Sequence, residues 1–385
     1  MPAVSDFEQR LRGRLWELEI DGLLRTPRAP SGIDFCSNDY LGLAGHPLLR
    51  QRMAESAARE GCGSTGSRLL RGERDSFARL ERRFAAFKGA ERALYFSSGY
   101  LANLAVLSTL TEEGDTIYSD ERNHASLIDG MRLSRARRVV FPHNDAGVLA
   151  RLLREDGGPG QKFVVTESLF SMDGDMAPLA EYAALCRAHG AGLIVDEAHA
   201  VGVYGERGSG LIEVTGIETL VSINTAGKAL GVCGAFVAGP AWAIEYLIQK
   251  ARPFIFSTAA PPPVAAALEA SLILMESEAF RRRDVLDRSI YLRRRLAEAG
   301  VTVPDGVSQI IPVVLGDNDL AVRVALGLQR EGFDARAIRP PSVPAGTARL
   351  RLSVNCNLSE ATLDRFAGVL GGVLEGTAVC SAASS

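Results

Sequence analysis

The residue that stands out for chemistry is Lys228. It is the only charged side chain in the 26-residue stretch from Thr219 to Ile244. An ammonium in apolar surroundings is unfavourable, so burial lowers a lysine's pKa and favours an amine ready for Schiff-base formation. The small neighbours Ala226, Gly227 and Ala229 leave room for a flat ring. The competing reading is a lysine on a loop rim, so other groups must decide.

Three further segments carry reactive or anion-binding residue types. In Leu193-Ile-Val-Asp196 an apolar run ends in a carboxylate, and His199 follows three residues on. A buried carboxylate needs a cationic or hydrogen-bonding partner, which a protonated pyridine nitrogen would supply. Otherwise the two are a capping Asp and a core His. Ala93–Phe96 leads into Ser97, Ser98, Gly99 and Tyr100. A small-residue turn that opens a helix presents free backbone N–H groups to an anion, or is an ordinary cap; Tyr100 could cover an aromatic ligand. His124, after Ser119-Asp-Glu-Arg-Asn123, could stack on a flat ligand or cap the helix behind it. Together these groups offer a phosphate turn, a ring-covering imidazole, an acid for a pyridine nitrogen and a Schiff-base lysine. That is the set pyridoxal 5'-phosphate requires, because the cofactor is an electron sink only while its ring nitrogen stays protonated. Ser171 and Thr225 supply further hydroxyls.

These residues sit where short apolar runs end. Ala93–Phe96, Thr116–Tyr118, Arg138–Phe141, Phe163–Thr166, Leu193–Asp196, Leu220–Ile223 and Ala235–Ala238 read as strands. Helix-like stretches, Leu101–Leu110, Ala125–Leu133, Val148–Arg154 and Leu179–His189, lie between several of them. The alternation predicts an α/β fold with a mostly parallel seven-stranded sheet covered on both faces. In such sheets ligands bind at the carboxyl ends of the strands. From Pro261 the pattern changes to a long helix-like stretch, Val264–Ala299, followed by Gln309–Leu315, a helix at Leu320–Glu331, and Arg349–Val354. The expected organisation is an N-terminal arm (1–45), a large cofactor-binding domain (46–260) and a smaller C-terminal α/β domain (261–385). The arginine triplets Arg281–Arg283 and Arg293–Arg295 are expected on a solvated helix face.

Composition narrows the function classes. The chain has 385 residues, 46% apolar and 23% charged, with 39 Gly and 17 Pro. This excludes a disordered or collagen-like chain. A net charge of −3 gives no general basic field, which argues against bulk nucleic-acid binding. The long uncharged segment Ala93–Thr111 is interrupted by Ser97, Ser98, Gly99, Asn103, Ser108 and Thr109, and reads as strand, turn and buried helix, not a membrane span. Six scattered cysteines without a CxxC pair read as reduced thiols in a cytoplasmic protein and not as a metal site.

Over nearly its whole length the sequence resembles the α-oxoamine synthases, fold-type I enzymes dependent on pyridoxal phosphate. The resemblance lies in SNDYLGLAGHP (37–47), GSTGSRLLRG (63–72), VVTESLFSMDGDMAPL (164–179), DEAHAVGVYGERG (196–208), GKALG (227–231) and AIRPPSVPAGTARLRLS (337–353). The last stretch is similar to the branch that makes 8-amino-7-oxononanoate for biotin. The resemblance implies condensation of L-alanine with a pimeloyl thioester, of CoA or of acyl-carrier protein, with loss of CO2. It implies that Lys228 binds the cofactor and serves as acid and base, that Asp196 pairs with the ring nitrogen and that His199 reaches the ring oxygen. His124 would stack on the ring and meet substrate. Ser98, Gly99, Tyr100, Ser171 and Thr225 would line the cofactor site, and Ser257 and Thr258 would reach the phosphate of the partner subunit in an obligate homodimer. Asn38, Ser342 and Arg351 match substrate contacts, with Arg351 as a carboxylate fork, and Arg25 matches an arginine near the acyl substrate. Ser67 stands where the glycine-using aminolevulinate branch carries Thr, implying a contact with the substituent of the amino acid. The segment between Arg25 and Phe35 is short for the family, and Ala200 replaces a glycine. The alternatives are a sister synthase using glycine or another thioester, and a regulatory homologue without catalysis; the 337–353 stretch speaks against the first, and Lys228 with Asp196 against the second.

Overall fold

Alternating apolar positions fix the central sheet. In a strand successive side chains point to opposite faces; Ala93 and Tyr95 join one core while Leu94 and Phe96 join another on the far side. The computed structural model describes residues 5–382, with side chains through Thr377. Its strands are β1 (Ile33–Asp34), β2 (Arg92–Phe96), β3 (Thr116–Asp120), β4 (Arg137–Phe141), β5 (Lys162–Glu167), β6 (Gly192–Asp196), β7 (Val221–Thr225), β8 (Ala235–Gly239), β9 (Ile310–Gly316), β10 (Phe333–Asp334), β11 (Ala337–Ile338) and β12 (Ala348–Ser353). Seven form one sheet in the order β2-β8-β7-β6-β5-β3-β4. All its pairings are parallel except those of β8, which runs antiparallel to β2 and β7. The seven apolar runs thus form one mostly parallel sheet, as expected. The outer strand β4 keeps Arg137 and Arg138 exposed, charges that discourage pairing with another sheet.

The helices expected between strands form at Gly99–Leu110, Ala125–Leu133, Ala146–Glu155 and Leu179–His189. Ser98 caps the first, its side chain accepting from the Leu101 N–H at 3.2 Å. A second sheet, β11-β12-β9, is antiparallel. It shares a third apolar core with Phe35, Leu292, Phe333 and Phe366, in which Phe35 and Phe366 stack with centroids 3.9 Å apart.

Two expectations need correction. The stretch 264–299 is two helices, Pro262–Ser277 and Phe280–Glu298. The first is apolar nearly all round and packs on Pro47–Glu60 and Asp75–Lys88 in the core of the large sheet, whereas Leu292 and Leu296 of the second belong to the small core. Nor are the arginine triplets wholly a solvated face. Arg282 is buried, donating to Met275 O at 2.7 Å and Glu206 O at 2.6 Å. Arg293 donates to Ser308 O and Ile310 O at 2.7 and 2.9 Å. A planar guanidinium can satisfy several carbonyls that the ends of helices and loops leave open. No described helix is long and apolar enough to cross a membrane.

Candidate active site

The carboxyl ends of β5, β6 and β7 face one cavity of about 180 Å³. It is lined by Gly99, Tyr100, Asn103, His124, Ser126, Glu167, Asp196, Ala198, His199, Thr225 and Lys228. Parallel strands all end on the same side of the sheet, so residues distant in sequence converge there.

Lys228 follows β7 and lies with its Nζ 2.8 Å from His199 Nε2. Burial pulls the lysine down to about 8, although the Asp196 and Glu167 carboxylates oppose the shift. His199 is pushed well below its ordinary value by burial and by the Lys228 and Arg351 charges, so its imidazole is neutral. Its Nδ1 lies 2.7 Å from the Tyr40 hydroxyl, which leaves Nε2 as the atom facing the amine.

Asp196 ends β6. The Ala198 N–H donates to its Oδ1 at 2.8 Å and Asn103 Nδ2 donates to its Oδ2 at 2.7 Å. Asn103 also donates to Ser126 Oγ at 2.9 Å, which lies 2.7 Å from His124 Nδ1. His124 is the N-cap of Ala125–Leu133, its Nδ1 accepting from the Ser126 N–H. The capping role and a place in the cavity are therefore compatible in one residue. Burial pushes its pKa down.

The other expected residues fall into four places. At the cavity mouth Tyr100 donates to Asp129. Opposite, a Cβ on Gly99 would stand 2.5 Å from Thr225 Oγ1, so only glycine lets the helix N-terminus approach the β7 end this closely. Behind the histidine stands Arg351 of β12, buried, with Nε donating to Ser171 O at 2.6 Å, Nη1 to Asn38 Oδ1 at 2.8 Å and Nη2 to Tyr40 at 3.2 Å. Ser171 thus meets this group through its backbone carbonyl. Arg25, from the segment before β1, donates to Pro340 O at 2.8 Å, and the Ser342 N–H bonds to Arg339 O at 3.1 Å, so Arg25 meets the loop after β11 that carries Ser342. Ser257 and Thr258 line a separate small pocket with Arg68. Ser67 belongs to the same neighbourhood, since the Ala259 N–H bonds to Gly66 O at 2.9 Å and Ser67 opens the turn Arg68–Gly72. One chain alone does not bring Ser67, Ser257 and Thr258 into the lysine cavity.

Three cavity or near-cavity residues escaped the sequence reading. Glu167 lies one residue beyond the expected end of its strand, in Thr-Glu-Ser. Tyr40 was inside a recognised stretch without a role. Asn103 was seen only as a polar interruption. A strand reading extended by one residue, to the first charge, would have found Glu167.

The residues present fit pyridoxal phosphate. A buried amine of lowered pKa, a fixed carboxylate and a glycine turn converge, and buried Asn103 Oδ1 and Glu167 Oε1 have no protein partner, which suits a site built for a polar ligand. The model of the class I and II aminotransferases matches residues 30–370. The chain is 48% identical over 354 residues to the 8-amino-7-oxononanoate synthase of Burkholderia thailandensis, covering 90% of each. The chain belongs to the 8-amino-7-oxononanoate synthases. Its fold is similar to a serine palmitoyltransferase from S. paucimobilis with a pyridoxal phosphate–myriocin aldimine bound (TM-score 0.90, 29% identity, 98% of this chain and 100% of that one). It is also similar to the 8-amino-7-oxononanoate synthase of Francisella tularensis (TM-score 0.78, 30% identity, 90% and 99%). The synthase is thus a fold-type I enzyme with pyridoxal phosphate as cofactor.

Proposed function

We propose that this synthase condenses L-alanine with a pimeloyl thioester, carried by CoA or acyl-carrier protein, releasing CO2 and the thiol and giving 8-amino-7-oxononanoate. The observation that carries the reading is the Lys228 amine in one cavity with Asp196 and His199, backed by the Arg351 guanidinium.

Bound pyridoxal phosphate supplies an electron sink for charge left on the substrate's α-carbon. Lys228 is the residue that holds it and that takes and returns the α-proton, because an amine with a pKa near 8 exchanges protons readily at neutral pH. His199 stays neutral and orients Nζ. Asp196, fixed by Asn103 and Ala198, would pair with the ring nitrogen of the cofactor, and His124 would cover its ring. Arg351 fixes the amino-acid carboxylate through its Nη2 edge, whose contacts, 3.2 Å to Tyr40 and 3.5 Å to His199, are its longest. Asn38 sets the other edge. Arg25 and Ser342 flank the acyl chain.

Ser67, Ser257 and Thr258 act in the partner's site, which makes the enzyme a homodimer. Leu70 and Phe256, 84% and 71% exposed beside them, supply an apolar surface for the second copy. The unpaired thiols of the described cysteines support a cytoplasmic location. We assign residues 46–260, together with the helix Pro262–Ser277 that packs in their core, to the large domain and the remainder up to 385 to the small one, with 1–45 as an arm; the boundary expected at 261 thus moves past that helix. The test is to incubate the protein with L-alanine and a panel of acyl thioesters and identify the ketone by mass. Pimeloyl thioester is expected to give 8-amino-7-oxononanoate; turnover with glycine alone, or with none of the thioesters, would refute the reading.

A further inference from the structure

Tyr40 is fully buried and does not line the lysine cavity, yet its hydroxyl reaches the residue next to the amine. Three side chains surround that hydroxyl: His199 Nδ1 at 2.7 Å, Asn38 Oδ1 at 3.0 Å and Arg351 Nη2 at 3.2 Å. A guanidinium only donates, so the hydroxyl accepts from Arg351 and has one proton left for either Asn38 or His199. Three observations send it to His199. That contact is the shorter of the two. Asn38 Oδ1 is already served by Arg351 Nη1 at 2.8 Å. Among the described residues the next donor to His199 Nδ1 is Arg351 Nη2 at 3.5 Å, on a guanidinium tied down by Ser171 O at 2.6 Å and Ser353 Oγ at 2.7 Å.

A neutral imidazole carries one N–H and one lone pair, and the partner of one nitrogen sets the state of the other. We propose that Tyr40 is a positioning residue for the reaction: its hydroxyl donates to His199 Nδ1 and fixes the tautomer that carries the proton on Nε2, toward Lys228. The proposal rests on the reading of Lys228 as the Schiff-base lysine.

His199 Nε2 lies 2.8 Å from Lys228 Nζ. A donor there suits an amine with a free electron pair, the form that attacks an aldehyde, and disfavours an ammonium, which brings only donors of its own. The reverse arrangement, with Nδ1–H donating to Tyr40, the hydroxyl turned to Asn38 and Nε2 accepting, would suit the ammonium. Burial, helped by the Lys228 and Arg351 charges, keeps the ring neutral, so one of the two tautomers must hold. Burial also lowers Lys228 against the Asp196 and Glu167 carboxylates, and the Nε2–H tautomer acts in the same direction as burial. The backbone beneath the ring is fixed by Gln309 Nε2, which donates to His199 O at 2.7 Å, while Gln309 Oε1 accepts from the Tyr204 hydroxyl at 3.1 Å. The Tyr40 carbonyl is fixed in turn by the Cys356 N–H at 2.9 Å. Arg351, Tyr40, His199 and Lys228 thus form one line of hydrogen bonds from guanidinium to amine, with every donor pointing the same way.

The test is nitrogen-15 magnetic resonance of the full chain, freed of cofactor and labelled at its five histidines, with His199→Gln to assign the signal. Spectra are taken above the Lys228 value of about 8, where a free amine can donate or accept and leaves the choice of tautomer to Tyr40. Wild type should carry the His199 proton on Nε2, with Nδ1 in the position of a nitrogen that accepts a hydrogen bond. Tyr40→Phe keeps the ring and removes the hydroxyl. It should move the Nδ1 resonance to that of a bare nitrogen and lower kcat about 3- to 10-fold, the weight of one neutral hydrogen bond, with KM for the thioester unchanged. A wild-type proton on Nδ1 would overturn the proposal, and this signal decides even if the variant does not fold. An Nδ1 resonance unmoved in Tyr40→Phe would also overturn it, because a tyrosine that only packs would change melting and leave that nitrogen as it was; so would a moved resonance with kcat unchanged. Mixing with pyridoxal phosphate tests the underlying reading separately. If the visible Schiff-base band grows as fast in Lys228→Ala as in wild type, the reading of Lys228 fails and takes this one with it; an Nδ1 proton beside a band that needs Lys228 refutes the role of Tyr40 alone.

Discussion

Replacing Asp196 by Asn separates charge from shape at the centre of the site. The amide can keep its oxygen toward the Ala198 N–H, which donates to Oδ1 at 2.8 Å. Its nitrogen then faces Asn103 Nδ2, now 2.7 Å from Oδ2, and two donors would meet. Asn103 can turn its amide over, because its Oδ1 has no partner to lose, and Ser126 Oγ can redirect its one proton from His124 Nδ1 to the turned amide. The fold should therefore tolerate Asp196→Asn with a stability change of about 1 kcal/mol or less, the scale of one neutral hydrogen bond rearranged. The chemistry should not tolerate it. A neutral amide cannot hold a pyridine nitrogen protonated, and a lost charge-assisted hydrogen bond costs about 1.5–3 kcal/mol, or roughly 10- to 150-fold in kcat. The assay is kcat at saturating alanine, thioester and cofactor, with melting temperature and cofactor absorbance measured on the same samples. The exchange Asn103→Asp with Asp196→Asn restores a donor–acceptor pair but puts the charge on the wrong residue, and should remain slow. An unchanged kcat in the single variant, or full recovery in the exchanged pair, would show that Asp196 serves packing alone.

Other variants probe the remaining contacts. Lys228→Ala should abolish turnover and the visible band; near wild-type activity at saturating cofactor would refute its role. Arg351→Ala should raise KM for alanine far more than for the thioester, because a carboxylate fork acts on the amino acid; equal effects would mark it as structural. Lys88→Met should destabilise the protein by about 3–5 kcal/mol, since it strands the fully buried Glu197 carboxylate, 2.5 Å from Lys88 Nζ; denaturant melts showing less than about 1 kcal/mol would contradict a buried ion pair. His143 lies between Asp120 at 3.0 Å and Asp175 at 2.6 Å, and despite its burial these carboxylates raise it from 6.5 to about 9. A raised folded-state pKa gives stability that is fully present below about pH 6.5 and lost as pH rises through about 9, up to roughly 3 kcal/mol. Urea melts should show this fall in wild type and not in His143→Gln; parallel pH curves would refute it.

The strands and most helices were legible because burial leaves a local trace. A strand buried on both faces must be apolar throughout, so Phe163–Thr166 and Leu193–Asp196 could be read within a few residues of their true ends. The helices Ala125–Leu133 and Leu179–His189 came out with their bounds intact. Lys228, Asp196 and His199 were visible because a charge or imidazole at the end of an apolar run is expensive without a partner. The break at Glu278–Ala279 was not visible, because helical periodicity continues across it.

The amino-acid sequence by itself determined which short runs would become strands, that their polar ends would gather on one side of a parallel sheet, and that burial would lower the pKa of one lysine among them. It could not determine which strand ends are neighbours. Strand order and register arise from pairings between segments far apart, and no local pattern encodes them. Only the tertiary structure set Glu167 beside Asp196, and only it brought Arg351 within 3.2 Å of Tyr40, 311 residues away along the chain. It also set Ser257 and Thr258, expected at the phosphate of the partner subunit, in a pocket with Arg68 apart from the cavity of their own Lys228, and tied the Gly66–Ser67 turn to them through the hydrogen bond that the Ala259 N–H donates to Gly66 O.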